Sequence, residues 1–214
     1  MKIGILWDLD GTLLDTLDDL TDATNYALTQ FGYPMRTREE VRQFVGNGAA
    51  GLIRQAVPEG VDDLPVFQRF REFYGANCQV KTKPYPGIPD ALQALSRHPM
   101  AIVSNKPDGA VKELCALHFP GILARGERAD CPRKPAPDMI DQAMAEIGVD
   151  TCIYVGDSDV DVIAARNAEV PCLSVLWGFR NRAEIEASGG KMFCEKTELL
   201  PQTLEEMIRG LTQA

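Results

Sequence analysis

Short, almost entirely apolar runs that alternate with amphipathic segments are the feature that most limits how this chain can fold. Four such runs are "IGILW" (3–7), "MAIVS" (100–104), "CIYVG" (152–156) and "CLSVLW" (172–177), and "KMFC" (191–194) is a weaker candidate edge strand. A loop and a helix-like stretch follow each of the first four. Strands that are apolar on both faces and alternate with helices are typical of a parallel sheet covered on both sides. We therefore predict an α/β fold built on a parallel sheet.

A helical segment interrupts this alternation after the first strand. Thr37, with Glu40 three residues later, forms a capping-box pattern that opens one of its helices. The Pro-rich stretch "KTKPYPGIP" (81–89) then resembles a hinge or linker. We predict helices at about 16–31, 37–45, 48–56 and 62–79, and a further helix in the C-terminal tail. The predicted organisation is an α/β core of residues 1–14 and 83–214 with a helical cap of residues 15–82.

Composition and charge exclude several classes of function. The net charge of −9 argues against nucleic-acid binding, which needs a basic face. No apolar run approaches the roughly 18–20 residues of a membrane-spanning helix, and no signal-peptide pattern is present, so we expect a cytoplasmic protein without membrane contact. The six cysteines form no CxxC pair and there are only two His, which makes a zinc site improbable.

Two carboxylates end the first apolar run. Asp8 and Asp10 share a face of the strand, and they are followed by Gly11, which permits a sharp turn, and by the hydroxyl of Thr12. Ligands of open parallel sheets bind beyond the carboxyl ends of the strands. A helix N-cap explains one Asp but not the pair, and a calcium loop would need Gly at its sixth position rather than its fourth.

A second carboxylate cluster ends another apolar run. In "VGDSDVD" (155–161), Asp157, Asp159 and Asp161 follow the strand-like "CIYVG". Asp159 is explained by the dipole of the helix that follows. If both strands lie in one sheet, the remaining carboxylates converge with Asp8 and repel one another unless a cation lies between them. A donor set of oxygens without His or Cys indicates magnesium.

Two further stretches carry groups that suit a phosphate. "VSNKPDG" (103–109) places Ser104 and Asn105 at the end of a strand, with Lys106 next. A hydroxyl and an exposed amide N–H at this edge suit a phosphate oxygen, but taken alone this stretch favours a Ser/Asn turn before a helix with Pro107 at its first position. "CPRKPAPD" (131–138) holds Lys134 between two stiff prolines, which would fix its ammonium in place.

Taken in order, "DLDGT", "VSN", the Lys of "RKPAPD" and "GDSDVD" resemble the signatures of the haloacid dehalogenase superfamily of phosphatases. That resemblance implies a Rossmann-like core with an inserted all-helical cap. The stretches "GDSDVDVIAARNA", "RKPAPDM", "WGFR" and "EEVRQFVGNG" are similar to the phosphoglycolate phosphatase-like branch. The implied reaction is hydrolysis of a small phosphomonoester, with 2-phosphoglycolate as the favoured substrate.

The resemblance also implies a role for each matching residue. Asp8 would be the nucleophile that forms an aspartyl-phosphate, and Asp10 would act as general acid and then general base. Mg²⁺ would be held by Asp8, the carbonyl oxygen of Asp10 and Asp157, with Asp161 supporting it indirectly or through water. Lys134 would neutralise the nucleophile and the phosphate. The phosphoryl group would be bound by Thr12, Ser104 and the backbone N–H of Asn105. Dehalogenase members lack an Asp at the position of Asp10, because a leaving halide needs no proton.

Several alternatives remain beside this interpretation. "GNGAAG" (46–51) matches G-x-G-x-x-G, but it follows a helix-like stretch rather than a strand, which argues against dinucleotide binding. We interpret it as a turn of the cap near the site, and we expect Asn47 and Lys106 to touch substrate. A sugar-phosphate mutase, a pyrophosphatase or a nucleotidase of the same superfamily is the alternative activity, and a non-catalytic binding protein is a distant one. The expected partner is a small phosphorylated metabolite, and the expected state is a monomer or a homodimer.

Overall fold

A six-stranded parallel sheet forms the centre of the computed structural model, which describes residues 1–213. In the sheet the strands follow the order β5-β4-β1-β6-β7-β8, and every neighbouring pair is parallel. Two short strands, β2 and β3, pair antiparallel outside this sheet. The strands are β1 (Ile3–Trp7), β2 (Leu14–Asp15), β3 (Lys83–Pro84), β4 (Met100–Pro107), β5 (Leu123–Glu127), β6 (Thr151–Gly156), β7 (Cys172–Val175) and β8 (Met192–Cys194).

The helices fall into two groups along the chain. Four of them lie between β2 and β3, and the others follow β3 and alternate with the strands of the sheet. They are α1 (Leu17–Gln30), α2 (Arg38–Phe44), α3 (Gly48–Ala56), α4 (Leu64–Asn77), α5 (Ile88–Ala94), α6 (Asp108–His118), α7 (Asp138–Ile147), α8 (Asp159–Asn167), α9 (Arg182–Ala187) and α10 (Leu200–Gln213), with a short 3-10 helix at Thr197–Leu199. None of these helices combines the length and the apolar character that crossing a membrane requires.

Both faces of the sheet are buried, which explains why its strands are apolar throughout. Successive side chains of a strand point to opposite faces. Ile5 and Trp7 therefore pack with residues of α6 and α10 on one side, while Leu6 packs with residues of α7 and α8 on the other. Both Ile5 and Leu6 are fully buried. The predicted α/β fold with a parallel sheet and an inserted helical segment is confirmed.

The sheet differs from the prediction at one edge. The strand β5, with the sequence "LARGE", was not predicted, because an edge strand is only partly buried and its charged side chains hide the apolar pattern. Strand β4 is also longer than predicted and continues to Pro107. Its pairing with β5 shifts register between Val103 and Pro107, and this irregularity carries the strand through Ser104, Asn105 and Lys106.

The helical segment between β2 and β3 agrees with the four predicted helices to within two residues at each end. Residues 14 and 84 are partners in the β2–β3 pair, so the two connections of this segment run side by side. The buried carboxylate of Asp19, in the first turn of α1, accepts the backbone N–H groups of Lys81 at 3.0 Å and Thr82 at 2.8 Å. The division into a core of residues 1–14 and 83–214 and a cap of residues 15–82 stays a prediction.

We expect Asp19→Ala to lower the free energy of unfolding by about 1–3 kcal/mol, because two backbone donors near β3 lose their acceptor. Urea denaturation measures this change. The matched control is Asp22→Ala, which removes an ion pair between Asp22 and Lys81 whose two side chains are each half exposed. That pair should contribute at most about 1 kcal/mol. Equal effects of the two substitutions would contradict the role given to Asp19.

Candidate active site

The carboxyl ends of three neighbouring strands bring the predicted residues together in one cavity. Asp8 follows β1, Asp157 follows β6, and Ser104 to Lys106 form the last part of β4. The cavity has a volume of about 60 Å³, which is room for about four to six waters. Its walls also include residues of the helical segment. Among the predicted residues that line it are Asp8, Asp10, Ser104, Asn105, Lys106, Lys134 and Asp157.

The ammonium of Lys134 connects the two carboxylate clusters. Its Nζ donates to Asp8 Oδ1 and to Asp161 Oδ1, each at 2.7 Å, and to the hydroxyl of Tyr154 at 2.8 Å. Tyr154 in turn donates to the carbonyl of Val103 at 3.0 Å. Burial alone lowers the pKa of Lys134, but Asp161 and Asp8 outweigh that effect and raise the pKa well above its ordinary value. The lysine is therefore charged, and all three of its donors are used.

Two donors hold the carboxylate of Asp157 in place. Its Oδ1 accepts the hydroxyl of Thr12 at 3.0 Å, and its Oδ2 accepts the backbone N–H of Phe179 at 2.6 Å. Thr12 is completely buried, and it does not line the cavity. Its hydroxyl thus supports a carboxylate in this structure, whereas the sequence-based expectation assigned it to the phosphoryl group.

Two glycines allow the backbone to approach Asp157 closely. Gly11 has a φ of +85°, a conformation that L side chains rarely adopt, and a Cβ on it would collide with the Asp157 carboxylate. A Cβ on Gly178 would collide with the same side chain from another loop. The carboxylate is therefore enclosed by backbone on two sides, which fixes where its oxygens lie.

Three buried carboxylates are close enough to share a cation. One oxygen of each of Asp8, Asp157 and Asp161 lies within 4.8 Å of the others. Burial raises the pKa of Asp8 well above its usual range; Lys134 opposes the rise, and Asp161 and Asp157 add to it. Burial, followed by Asp161, raises the pKa of Asp157 to about 7. Lys134 alone cannot neutralise these carboxylates, so negative charge remains in the cluster. A donor set made only of oxygens fits a hard divalent cation.

Asp161 has a different environment from the other two. Its Oδ1 accepts from Lys134, and its Oδ2 accepts the backbone N–H of Ser158 at 3.1 Å and the Ser158 hydroxyl at 2.6 Å. Ser158 and Asp161 form the capping box that opens α8. Asp157 also has a protein donor on each oxygen, but both are neutral, whereas one donor to Asp161 is the Lys134 ammonium. A cation already bound to Asp161 favours support of Lys134 over direct contact with a metal.

Asp10 lines the same cavity but is bound by a second buried lysine. Lys106 Nζ donates to Asp10 Oδ1 at 2.8 Å and to the hydroxyl of Tyr74, in α4, at 2.5 Å. The two carboxylates of the "DLD" motif are therefore paired with different cations, Asp8 with Lys134 and Asp10 with Lys106. The structure thereby distinguishes two residues that the sequence presents as a pair.

The remaining predicted residues take up different positions. Ser104 is buried at the cavity wall. The side-chain amide of Asn105 donates to the carbonyls of Gly46, at 3.1 Å, and Lys134, at 2.8 Å, and so joins the helical segment to the loop before α7. Asn47 does not line the cavity, although its neighbours Gly46 and Gly48 do. Its expected contact with substrate stays a prediction without support from this arrangement.

Sequence reasoning missed several residues that complete the site. Tyr154 and Tyr74 look like core aromatics in the sequence, and their hydroxyls find partners on distant parts of the chain. The backbone N–H of Phe179 and the closeness of Gly178 to Asp157 could not be derived from spacing, although both belong to the quoted stretch "WGFR". Arg180, the last residue of that stretch, also lines the cavity.

Comparison with known proteins assigns the class of the protein. The family model described as haloacid dehalogenase-like hydrolase matches residues 5–175. The chain belongs to this family. Its relatives include Phosphoglycolate phosphatase 1 of Pseudomonas aeruginosa, 32% identical over 213 residues that span 92% of this chain and 78% of that protein. A phosphoglycolate phosphatase of Vibrio parahaemolyticus is 33% identical over 202 residues, or 86% of this chain and 88% of that protein.

A solved structure agrees with these relatives. The crystal structure of a candidate phosphoglycolate phosphatase from Lactobacillus delbrueckii subsp. bulgaricus superimposes with a TM-score of 0.88. It is 34% identical in sequence, over 94% of this chain and 97% of that one. The predicted class, a phosphoric monoester hydrolase of this family, is confirmed. The cytoplasmic location, the oligomeric state and the individual residue roles stay predictions.

We expect a divalent cation to stabilise the folded protein through the carboxylates of Asp8 and Asp157. At about 100 times its Kd, Mg²⁺ should add ~2.7 kcal/mol to the free energy of unfolding. For a chain of this size that corresponds to a rise in Tm of about 5–10 °C, measured by thermal unfolding with and without EDTA. Asp157→Asn should abolish most of the rise. The matched control is Asp159→Asn, a neighbouring acid outside the cluster, and a rise that disappears equally in both variants would contradict this site.

Proposed function

We propose that the protein hydrolyses a small phosphomonoester, with 2-phosphoglycolate as the first candidate, through a magnesium-dependent reaction at Asp8. One observation carries the proposal: Asp8 Oδ1 is held by Lys134, and no donor among residues 1–213 binds its other oxygen. The second oxygen can therefore face a phosphorus atom, while the first keeps the carboxylate oriented. An oriented carboxylate in the wall of a preformed cavity is what nucleophilic attack requires.

The proposed reaction has two halves. In the first, a bond forms between the free Asp8 oxygen and phosphorus, the ester P–O bond breaks, and Asp10 gives its proton to the leaving oxygen. In the second, Asp10 takes a proton from water, the water oxygen attacks phosphorus, and the bond to Asp8 breaks to release phosphate. Asp10 is the proposed group because it lines the same cavity as Asp8, and its pairing with Lys106 leaves it outside the Lys134 network. Its alternation between acid and base follows general acid–base catalysis.

The charges around Asp8 suit this transfer. Lys134 would neutralise charge that develops on the nucleophile and the phosphoryl oxygens, and Tyr154 and Asp161 hold its ammonium in place. Asp8, Asp157 and the carbonyl of Asp10 would hold Mg²⁺, which when bound supplies electrostatic stabilisation of the phosphoryl group. Ser104 and the backbone N–H of Asn105 are the proposed donors to phosphoryl oxygens. Thr12 would act through Asp157.

The lining of the cavity supports a substrate with few hydroxyl groups. Part of the wall is apolar and offers few partners for sugar hydroxyls; it includes Leu20, Val45, Ala49, Leu52 and Phe70. The names of the relatives, phosphoglycolate phosphatases, suggest the substrate class.

We expect 2-phosphoglycolate to give the highest kcat/KM among a panel of phosphorylated metabolites in the presence of Mg²⁺. The panel should include glucose 6-phosphate, a nucleoside monophosphate and pyrophosphate, which represent the alternative activities of the superfamily. Asp8→Asn, which keeps the shape of the side chain but removes the nucleophile, should lower turnover about 10³-fold or more. Unchanged turnover in Asp8→Asn would show that another site or a contaminant is responsible, and a better substrate elsewhere in the panel would replace 2-phosphoglycolate.

We further propose that residues 15–82 act as a cap that closes over the site. The support comes from contacts between the α2–α3 turn and the loops of the sheet. Arg180 donates to the carbonyls of Arg42 at 3.0 Å, Gln43 at 3.2 Å and Val45 at 2.6 Å, which lie at the C-terminal end of α2. Arg42 donates in return to the carbonyl of Phe179. The carbonyls at a helix end have no partners within the helix, so one arginine can bind several of them at once.

We expect Arg180→Ala to open the cap more often, because its guanidinium provides three of the hydrogen bonds that join the two parts. Hydrogen exchange of peptides from residues 38–56 should become faster, while exchange in β1 and β6 should not change. Arg182→Ala is the matched control. Arg182 lies outside residues 15–82, and its exposed ion pairs, with Glu186 and Glu195, also lie outside that segment. Exchange of residues 38–56 that stays at the wild-type rate would rule out this closure.

A further inference from the structure

Lys106 is a buried cation at the active site to which the proposed reaction gives no task. Its side chain is only 3% exposed, and its ammonium binds Asp10 and the Tyr74 hydroxyl. It also lies 4.7 Å from the centre of the Tyr74 ring, a distance suited to a cation–π contact. Burial alone lowers the pKa of Lys106, but Asp10 and the Tyr74 hydroxyl outweigh that effect and raise it above its ordinary value. The lysine is therefore charged inside the cavity.

The position of Lys106 relates it to the leaving group rather than to the phosphate. Lys134 already serves Asp8, where phosphorus would bind. Asp10 is the proposed proton donor, so it must touch the oxygen that leaves. An ammonium 2.8 Å from Asp10 lies within a few ångströms of whatever is attached to that oxygen. In 2-phosphoglycolate the attached group is a single methylene that carries a carboxylate.

No other cation that lines the cavity is free for such a group. The three basic residues at its wall are Lys106, Lys134 and Arg180. Lys134 has three protein acceptors, and Arg180 binds backbone carbonyls and Asp159. Lys106 has two acceptors among residues 1–213 for its three donors, so it can bind one more oxygen. The apolar side chains that form the nearby wall would leave a carboxylate unpaired without it.

We propose that Lys106, positioned by the hydroxyl of Tyr74, binds a carboxylate on the leaving group and thereby selects phosphate esters of small hydroxy acids. This inference rests on the proposed phosphatase reaction and names the class of substrate that the same site takes. Lys106 belongs to β4 and Tyr74 belongs to α4, so the carboxylate would bind where the sheet meets the helical segment. The register shift in β4, which carries the strand through residue 106, is the local structure that places this ammonium in the cavity.

The competing explanation is that Lys106 only holds Asp10 in place. The two explanations differ in what they predict for substrates with and without a carboxylate. A lysine that only holds Asp10 affects every phosphate ester alike, because every ester needs the proton. A lysine that binds a carboxylate affects only those esters that carry one.

The test compares 2-phosphoglycolate with its carboxamide, 2-phosphoglycolamide, which has nearly the same size but no charge on the leaving group. The measured quantity is the ratio of their kcat/KM values within each variant, so that general damage to Asp10 or to folding cancels. In the wild type we expect the carboxylate to be preferred by about 100-fold, as for a charge-assisted hydrogen bond made in a desolvated site. In Lys106→Met the ratio should fall to about 1–5.

Three further variants make the result specific. Lys106→Arg keeps a positive charge and should retain part of the ratio, with the loss found mainly in KM. Tyr74→Phe keeps the lysine but removes the hydroxyl that positions it, and should lower the ratio by about 3–10-fold, as for the loss of one hydrogen bond. Lys112→Met removes an exposed lysine, 62% accessible in its side chain, and is the control in which the ratio should not change. Thermal unfolding of each variant checks that it is folded.

The outcomes separate this inference from the proposed function. A ratio that stays near the wild-type value in Lys106→Met would overturn the inference alone, because Lys106 would then act on Asp10. A wild-type enzyme that turns over both esters equally, or that prefers esters without a carboxylate in an Asp8-dependent way, would also overturn it alone. The absence of any Asp8-dependent turnover of phosphate esters would overturn the proposed function, and this inference with it.

Discussion

The rest of the site depends on the ammonium of Lys134, which lies between the carboxylates of Asp8 and Asp161 at 2.7 Å from each. Three carboxylates from two strand ends meet in a buried space, and their mutual repulsion would push the loops apart without a cation. Lys134 offsets part of this charge and leaves the remainder for a divalent ion. Under the proposed function, the same contact that makes the cluster tolerable for folding would also prepare it to bind a metal and a phosphate.

The parallel sheet makes this contact possible over long distances in sequence. β1, β4 and β6 are neighbours, so the loops after them open at one edge although they are about 100 and 150 residues apart along the chain. The turns at Gly11 and Gly178 then allow backbone to enclose Asp157 from two sides. The rigid strands set the approximate positions of the carboxylates, and the close backbone contacts set their final positions. The site can therefore stay ordered without its substrate although it holds several charges.

Two buried lysines bind different carboxylates of the cavity, Lys134 with Asp8 and Lys106 with Asp10. The three acceptors of Lys134 all lie outside the helical segment, and in the proposed reaction this lysine serves Asp8. Lys106 also binds Tyr74 from α4, so the proposed leaving-group side of the cavity is built from both parts of the chain. Under the proposed function, a change in α4 would alter which ester is accepted and leave the contacts of Lys134 in place.

The sequence by itself determined the class of fold and the acids of the site. Apolar runs such as residues 3–7 are unambiguous because both faces of their strands are buried, and Asp8 and Asp157 stand out because carboxylates follow such runs. The edge strand β5 and the partners Tyr74 and Tyr154 carried no comparable signal, since a half-buried strand resembles a loop and a buried tyrosine resembles any core aromatic. Only the tertiary structure decided which lysine meets which carboxylate, because those pairs join residues 96 and 126 positions apart, and spacing in sequence cannot encode such distances.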